Sequence, residues 1–96
     1  MLYSFFILKT FVIIFPSSNS VINGDLIRDK FEHRHEITKN AWVIGGDYTT
    51  SYDVGEVLGV SNGHKGEDVV FVLKLGSDYS GYYYADLWNK LKAWNE

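Results

Sequence analysis

Two histidines near the middle of the chain have the spacing best suited to metal or acid–base chemistry. His33 and His35 are separated by one residue in the segment "EHRHEIT", so both rings face the same side if this segment is a β-strand. A metal held there needs a third ligand, for which Glu36 and His64 are the candidates. The competing interpretation, which we favour, is a polar face on an edge strand.

One acid is the other candidate for chemistry. Asp47 follows the apolar run "WVIGG" and is close to Thr49 and Thr50. Its carboxylate could bind a cation or accept a proton, but an acid in this position more often caps the following helix. The sequence contains no glycine-rich phosphate loop, metalloprotease motif or nucleophile elbow. We therefore assign no catalytic residue, and keep Asp47, His33 and His35 as the alternative set.

Aromatic residues are concentrated near the end of the chain. Aromatic side chains with a polar tip are enriched at interfaces and can stack on bases. Only Lys90 and Lys92 are nearby as phosphate partners, so protein contact is favoured over base stacking. Packing half inside the fold is an equally weighted alternative. The candidate binding residues are Tyr79, Tyr82, Tyr83, Tyr84, Trp88 and Trp94.

The composition limits the classes of function. The chain has 96 residues, of which 46% are hydrophobic and 17% aromatic, so it is expected to fold as one domain. A net charge of -3 does not favour nucleic acid as a partner, because a phosphate backbone normally calls for a basic face. The absence of cysteine rules out disulfides and mildly favours a reducing compartment.

The stretch "KTFVIIFPSSNS" has two interpretations with opposite consequences for localisation. As an apolar run followed by small residues, it is a candidate export signal cleaved near Ser20, which would make the protein secreted. However, no positive charge precedes the run, Lys9 interrupts it, and it is too short to span a bilayer. As a β-strand with its exit loop, it belongs to a cytoplasmic protein, and this is the interpretation we favour.

The first half of the chain is predicted to form a strand, a helix and a hairpin. Residues 10 to 15 are β-branched or aromatic and are followed by Pro16, as is typical of a buried strand with a stop. A helix is expected from Ser20, with its cap supplied by residues 17 to 20 and its apolar side by Ile22, Leu26, Ile27 and Phe31. Lys39 and Asn40 separate the two arms of the hairpin.

The second half is predicted to form a helix, a strand and a final helix. Thr50 and Asp53 approximate a capping box, and Gly59 ends the helix that follows. Residues 69 to 75 are apolar on both faces until Lys74, a pattern typical of a central strand. The last helix is amphipathic, with a stripe of Leu87, Trp88, Leu91 and Trp94.

This order predicts an α+β chain of the ferredoxin-like type, βαββαβ, with an antiparallel four-stranded sheet and a C-terminal helix. Residues 10–75 form the predicted core of a single domain, 1–96. Residues 1–9 are an apolar extension that could add an edge strand. Residues 76–96 contain the aromatic turn and the last helix. The topology requires residues 10 to 15 to lie inside the sheet.

Two long segments carry a family resemblance: "FEHRHEITKNAWVIGGDYTTSYDVGEVLG" and "EDVVFVLKLGSDYSGYYYADLWNKLKAW". Together they cover about two-thirds of the chain, and they resemble the small SinR-like proteins related to the CRISPR-associated endoribonucleases of spacer acquisition. The residues that carry the resemblance are Trp42, Val43, Asp47, Thr49, Val54, Leu58, Phe71, Val72, Tyr79, Gly81, Tyr82, Trp88 and Leu91.

The resemblance implies a ferredoxin-like homodimer and, in catalytic members, a nuclease that uses Mg²⁺ or Mn²⁺ and an Asp at the end of the first strand. Here that strand is followed by "FPSSN", and the next acid, Asp25, falls in the predicted helix. Hard divalent cations need oxygen ligands such as carboxylates. We therefore expect a non-enzymatic, cytoplasmic interaction or regulatory protein without a cofactor or membrane association. Its partner is expected to be a second copy or another protein. The metal-dependent nuclease is the alternative.

Overall fold

A computed structural model describes residues 8–16, 22–59, 70–76, 81 and 85–95. Within these ranges the elements follow the predicted order. The prediction of an α+β chain with a four-stranded antiparallel sheet and a C-terminal helix is confirmed. The elements are β1 (Lys9–Ile14), α1 (Gly24–Lys30), β2 (His33–Thr38), β3 (Ala41–Gly46), α2 (Ser51–Leu58), β4 (Phe71–Leu75) and α3 (Ala85–Asn95).

The sheet has the strand order β2-β3-β1-β4, and every neighbouring pair is antiparallel. β1 lies inside it, where Val12 pairs with Val43 on one side and with Leu73 on the other. Phe11 and Ile13 are fully buried on the opposite face of the same strand. The interpretation of the early apolar run as an interior strand is therefore confirmed.

The expectation of a central strand at residues 69 to 75 is wrong. β4 is shorter than predicted and lies at an edge of the sheet, beside β1 alone among the described strands. Val72 packs against the α1–α2 core, and Leu75 packs against the α3 core. Phe71 and Leu73, on the same face as Leu75, are 58% and 42% exposed.

α1 and α2 pack on one face of the sheet and share a core with β1 and β3. α1 begins at Gly24, later than expected, because Asn23 is the N-cap and its side chain accepts a hydrogen bond from Leu26 N at 3.0 Å. Ile22 precedes the cap and Ile27 lies in the fourth helical position; both are fully buried, as in a hydrophobic staple.

Local signals in the sequence determine the bounds of α2. Thr50 is its N-cap and forms the predicted capping box with Asp53, whose carboxylate accepts from the Thr50 backbone N–H at 3.1 Å. Gly59 ends the helix in the left-handed conformation, with φ of 85°, which a residue without a Cβ adopts readily. Both predictions are confirmed.

α3 covers the other face of the sheet. Its buried residues Leu87, Leu91 and Trp94 form a second core with Val43 of β3. The end of the helix is also tied to the start of β1, because Leu8 N donates to the Trp94 carbonyl at 2.9 Å. The sheet is therefore a middle layer between α1 and α2 on one side and α3 on the other.

Candidate functional site

His33 and His35 point from β2 toward α3, on the same face of the sheet as predicted. The His33 ring meets the Trp94 indole edge-on, with ring centroids 6.1 Å apart. His35 is 9% exposed, and opposite it in the sheet is Val43, which belongs to the α3 core. The polar edge-strand interpretation is corrected in one respect: β2 is an edge strand, but its histidine face lies under a helix.

His35 is part of a charged cluster between β2 and α3. Its Nδ1 lies 3.2 Å from Lys90 Nζ and 4.0 Å from Asp86 Oδ2. An ammonium group can only donate, so Nδ1 accepts, and the neutral ring carries its proton on Nε2. Burial lowers the pKa of His35 and the nearby Lys90 charge lowers it further, against the opposing effects of Asp86 and Glu36.

The surroundings of the histidines do not favour a metal. The Lys90 ammonium occupies the lone pair of His35 Nδ1 that a cation would use, and it would repel that cation. Among the described residues, no group of three or more His, Asp and Glu side chains is arranged to hold a metal ion. Of the proposed third ligands, Glu36 lies 3.9 Å from Arg28 of α1, and His64 is outside the described residues.

Asp47 follows β3 and is exposed. It is not the cap of α2, since that position belongs to Thr50. The acid that the family resemblance places after the first strand has no counterpart at Phe15 or Pro16, the two described residues that follow β1. Asp25 lies in α1, and its exposed carboxylate accepts from Arg28 at 2.8 Å.

The predicted aromatic binding residues divide into two groups. Tyr79 and Tyr82 to Tyr84 lie outside the described residues. Trp88 is half-buried, and Trp94 is 8% exposed. The Trp94 indole packs against His33 and over Gly45, so it is largely occupied by contacts within the fold.

An exposed apolar surface lies on the α3 side of β1 and β4. Ile14, Phe71 and Leu73 are 41%, 58% and 42% exposed, and we refer to them as the β4 stripe. They share a face, because Ile14 pairs with Phe71, and Leu73 follows two residues later in the strand. In the sequence, Phe71, Leu73 and Leu75 stand at alternate positions, which places them on one face of a strand.

The two edges of the sheet differ in their protection against pairing. β2 has a register irregularity between Glu36 and Thr38, and Lys90 Nζ donates to its Arg34 carbonyl at 3.4 Å. Both features discourage an added strand. β4 pairs regularly along its whole length, and its one charged side chain, Lys74, donates to the Thr49 carbonyl at 3.2 Å. Of the described strands, β4 is the better template for another chain.

Comparison of the chain with known protein families, with curated proteins and with solved structures found no match. Within the described residues, no helix is long and apolar enough to cross a membrane.

Proposed function

We propose that this protein is a non-enzymatic interaction protein that acts as a homodimer, and that the two copies meet through β4 and the β4 stripe. The observation that carries the proposal is the set of three exposed apolar side chains, Ile14, Phe71 and Leu73, beside a regular edge strand. Exposed apolar patches next to a pairing-competent edge are typical of interaction sites.

A second copy fits this edge better than an arbitrary partner does. In an antiparallel pair of β4 strands centred on Leu73, Phe71 faces Leu75 of the other copy, and Val72 faces Lys74. The apolar side chains of the α3 face then form a continuous row across the two-fold axis. The two Lys74 side chains are not opposite each other, so the pairing creates no direct like-charge contact.

We propose that the fold is ferredoxin-like and that the chain is related to the SinR-like proteins. In support, the element order is βαββαβ followed by a helix, the strand order is β2-β3-β1-β4, and α1 and α2 contribute to one core. The two histidines considered for catalysis contact side chains of α3: His33 meets Trp94, and His35 meets Lys90. This supports binding over catalysis.

We further propose that the protein works in the cytoplasm with its first strand retained. Cleavage near Ser20 would remove β1, which pairs with β3 and with β4. The sheet would then be divided, and the partners of Phe11 and Ile13 in the core would be exposed. Mass spectrometry of the native protein tests this. An N-terminus near Val21 would contradict it.

Sedimentation velocity over a micromolar concentration series tests the dimer. We expect a monomer–dimer equilibrium for the natural chain. Leu73→Lys should raise the dissociation constant by at least about tenfold, because two ammonium groups would be desolvated at the two-fold axis. Tyr52→Lys is the matched control, since it also replaces an exposed large hydrophobic residue but lies on α2, away from the stripe.

Two results would overturn the dimer. One is a chain that stays monomeric throughout the concentration series. The other is equal weakening by Leu73→Lys and Tyr52→Lys, which would indicate nonspecific association of apolar surfaces. A dimer insensitive to both substitutions would place the contact elsewhere and reject β4 as the interface.

A further inference from the structure

We infer that His35 is a proton-sensitive latch that holds α3 on the sheet, so that acidification releases the helix. This inference stands on different residues from the dimer and does not depend on it. The latch is the contact between a buried imidazole of β2 and two charged residues of α3, with Lys90 Nζ at 3.2 Å and Asp86 Oδ2 at 4.0 Å.

The contact works in one protonation state of His35. In the neutral ring, Nδ1 accepts from the Lys90 ammonium, and that same ammonium also reaches the Arg34 carbonyl of β2 at 3.4 Å. Protonation removes the acceptor and places two positive groups 3.2 Å apart. Lys90 would then have to leave, and its second contact with β2 would be lost as well.

The neighbouring acids do not fully compensate for this repulsion. Asp86 lies farther from the ring than Lys90 does, and its side chain is 65% exposed, so water screens its attraction. Glu36, the other nearby acid, belongs to the same strand as His35 and is also exposed. The other titratable residue of β2 on this face is His33, two residues away. β3 presents the apolar Val43 to this face, so among described residues it adds no charge there.

The direction of the pH dependence follows from proton linkage. The pKa of His35 is lowered from its ordinary value of 6.5 in the folded protein, so the released or unfolded state binds the proton more readily. The stabilisation from the neutral ring is complete above pH 6.5 and is lost as the pH falls below it.

Release of α3 would have a structural consequence for the sheet. The helix covers Val43, and Val12, Ile37 and Leu75 pack against the same core. Val12 and Leu75 lie on the same face as the β4 stripe. Acidification would therefore extend the exposed apolar surface from the β4 stripe toward β3.

Hydrogen exchange followed by mass spectrometry tests the latch on the full chain. The measured quantity is the opening constant of the α3 amides, corrected for intrinsic exchange. It should rise at least about fivefold between about pH 7.5 and about pH 5. Because one proton is linked to the release, the rise should not exceed about tenfold per pH unit. α2 serves as the internal reference. Its protection should change less.

Two variants separate the latch from a general acid effect. His35→Asn places an amide oxygen near the position of Nδ1, where it can accept from Lys90 without titrating, so the pH dependence of α3 should disappear. His33→Asn changes a histidine on the same strand and face and should keep it. Equal pH dependence in the natural chain and in His35→Asn would overturn the latch, as would no pH dependence in the natural chain.

A direct titration covers the case in which His35→Asn fails to fold. Nuclear magnetic resonance of the natural chain reports the protonation of each histidine ring as the pH is lowered. His35 should protonate below 6.5, together with shifts in the amides of α3. Protonation of His35 at or above that value, or without a change in α3, would reject the latch.

Discussion

Gly45 of β3 lies directly beneath the indole ring of Trp94 in α3. A Cβ placed on Gly45 would be 3.0 Å from both Cδ2 and Cε3 of that indole, closer than ordinary van der Waals contact. The absence of a side chain at position 45 therefore sets how near the C-terminal helix comes to the sheet. This contact and the His33 ring together hold Trp94 in place.

Substitution of this glycine should loosen the helix. Gly45→Ala is expected to lower the free energy of unfolding by about 1–3 kcal/mol, because Trp94 must shift away from the added methyl group. Alanine loses less backbone entropy on folding than glycine does, which by itself would stabilise the variant by about 0.5–1 kcal/mol. A net decrease in the free energy of unfolding would therefore be due to the contact with Trp94. Urea unfolding followed by circular dichroism measures the difference.

Gly55 provides the matched control for this substitution. It is buried in the middle of α2, and a Cβ built there meets no atom within 4 Å. Gly55→Ala should therefore stabilise the protein by about 0.5–1 kcal/mol through helix propensity alone. Equal effects of the two substitutions would show that the Gly45 contact has no energetic role.

The capping box of α2 predicts a second stability difference. Thr50→Ala removes the hydroxyl that accepts from Asp53 N at 3.3 Å, and it should cost about 1 kcal/mol. Thr49→Ala is the control, because Thr49 contributes its backbone N–H to Asp53 and its carbonyl to Lys74. Both variants can be compared by urea unfolding. A loss as large in Thr49→Ala would argue against a specific cap.

The elements that were predictable from sequence are those with local signals. The Thr50–Asp53 box, Gly59 and the turn at Lys39 and Asn40 fix their elements through residues at most a few positions apart. The start of α1 was not predictable in the same way, because several cap-competent residues precede it. With Asn23 as the N-cap, Ile22 is buried and Gly24 packs closely against Trp42. A Cβ on Gly24 would lie 3.0 Å from Trp42 Cζ2.

The candidate sites show the same division between local and distant causes. The spacing of His33 and His35 predicted their common face, since alternation is a property of the strand itself. Their cover by α3 depends on residues more than fifty positions later, such as Lys90 and Trp94, and no local pattern specifies it. The apolar pattern of residues 71 to 75 does not distinguish a central strand from an edge strand with exposed apolar side chains at Phe71 and Leu73, so the edge position of β4 is not predictable from it.

Tyr48 predicts an alkaline limit to stability. Its ring is packed edge-on against Phe11 and Phe31, with centroids 6.2 and 5.9 Å away, and burial raises the pKa of its phenol from 10.0. The stabilisation from the neutral phenol is complete below pH 10.0 and is lost as the pH rises above it. Unfolding free energies measured between about pH 9 and about pH 11 should fall more steeply for the natural chain than for Tyr48→Phe.

Tyr48→Phe keeps the aromatic packing and removes only the titrating hydroxyl, so the two slopes isolate the phenol. Tyr52→Phe, which removes a phenol from an exposed position on α2, is the matched control. Equal slopes for the natural chain and Tyr48→Phe would contradict the burial argument.

The proposed β4 pairing predicts a specific disulfide, which can be tested because the chain has no cysteine. In an antiparallel pair centred on Leu73, the two copies of this residue are directly opposite, with Cα atoms about 4.5–5.5 Å apart. A disulfide joins Cα atoms about 4.4–6.8 Å apart, so Leu73→Cys should form a covalent dimer under mild oxidation. Tyr52→Cys carries a thiol at a similarly exposed position on α2 and should form no disulfide-linked dimer. Non-reducing electrophoresis over a dilution series distinguishes cross-linking within a preformed dimer from cross-linking by random encounters between monomers. Cross-linking of Leu73→Cys that falls with dilution as steeply as that of Tyr52→Cys would mean that the two β4 strands do not meet.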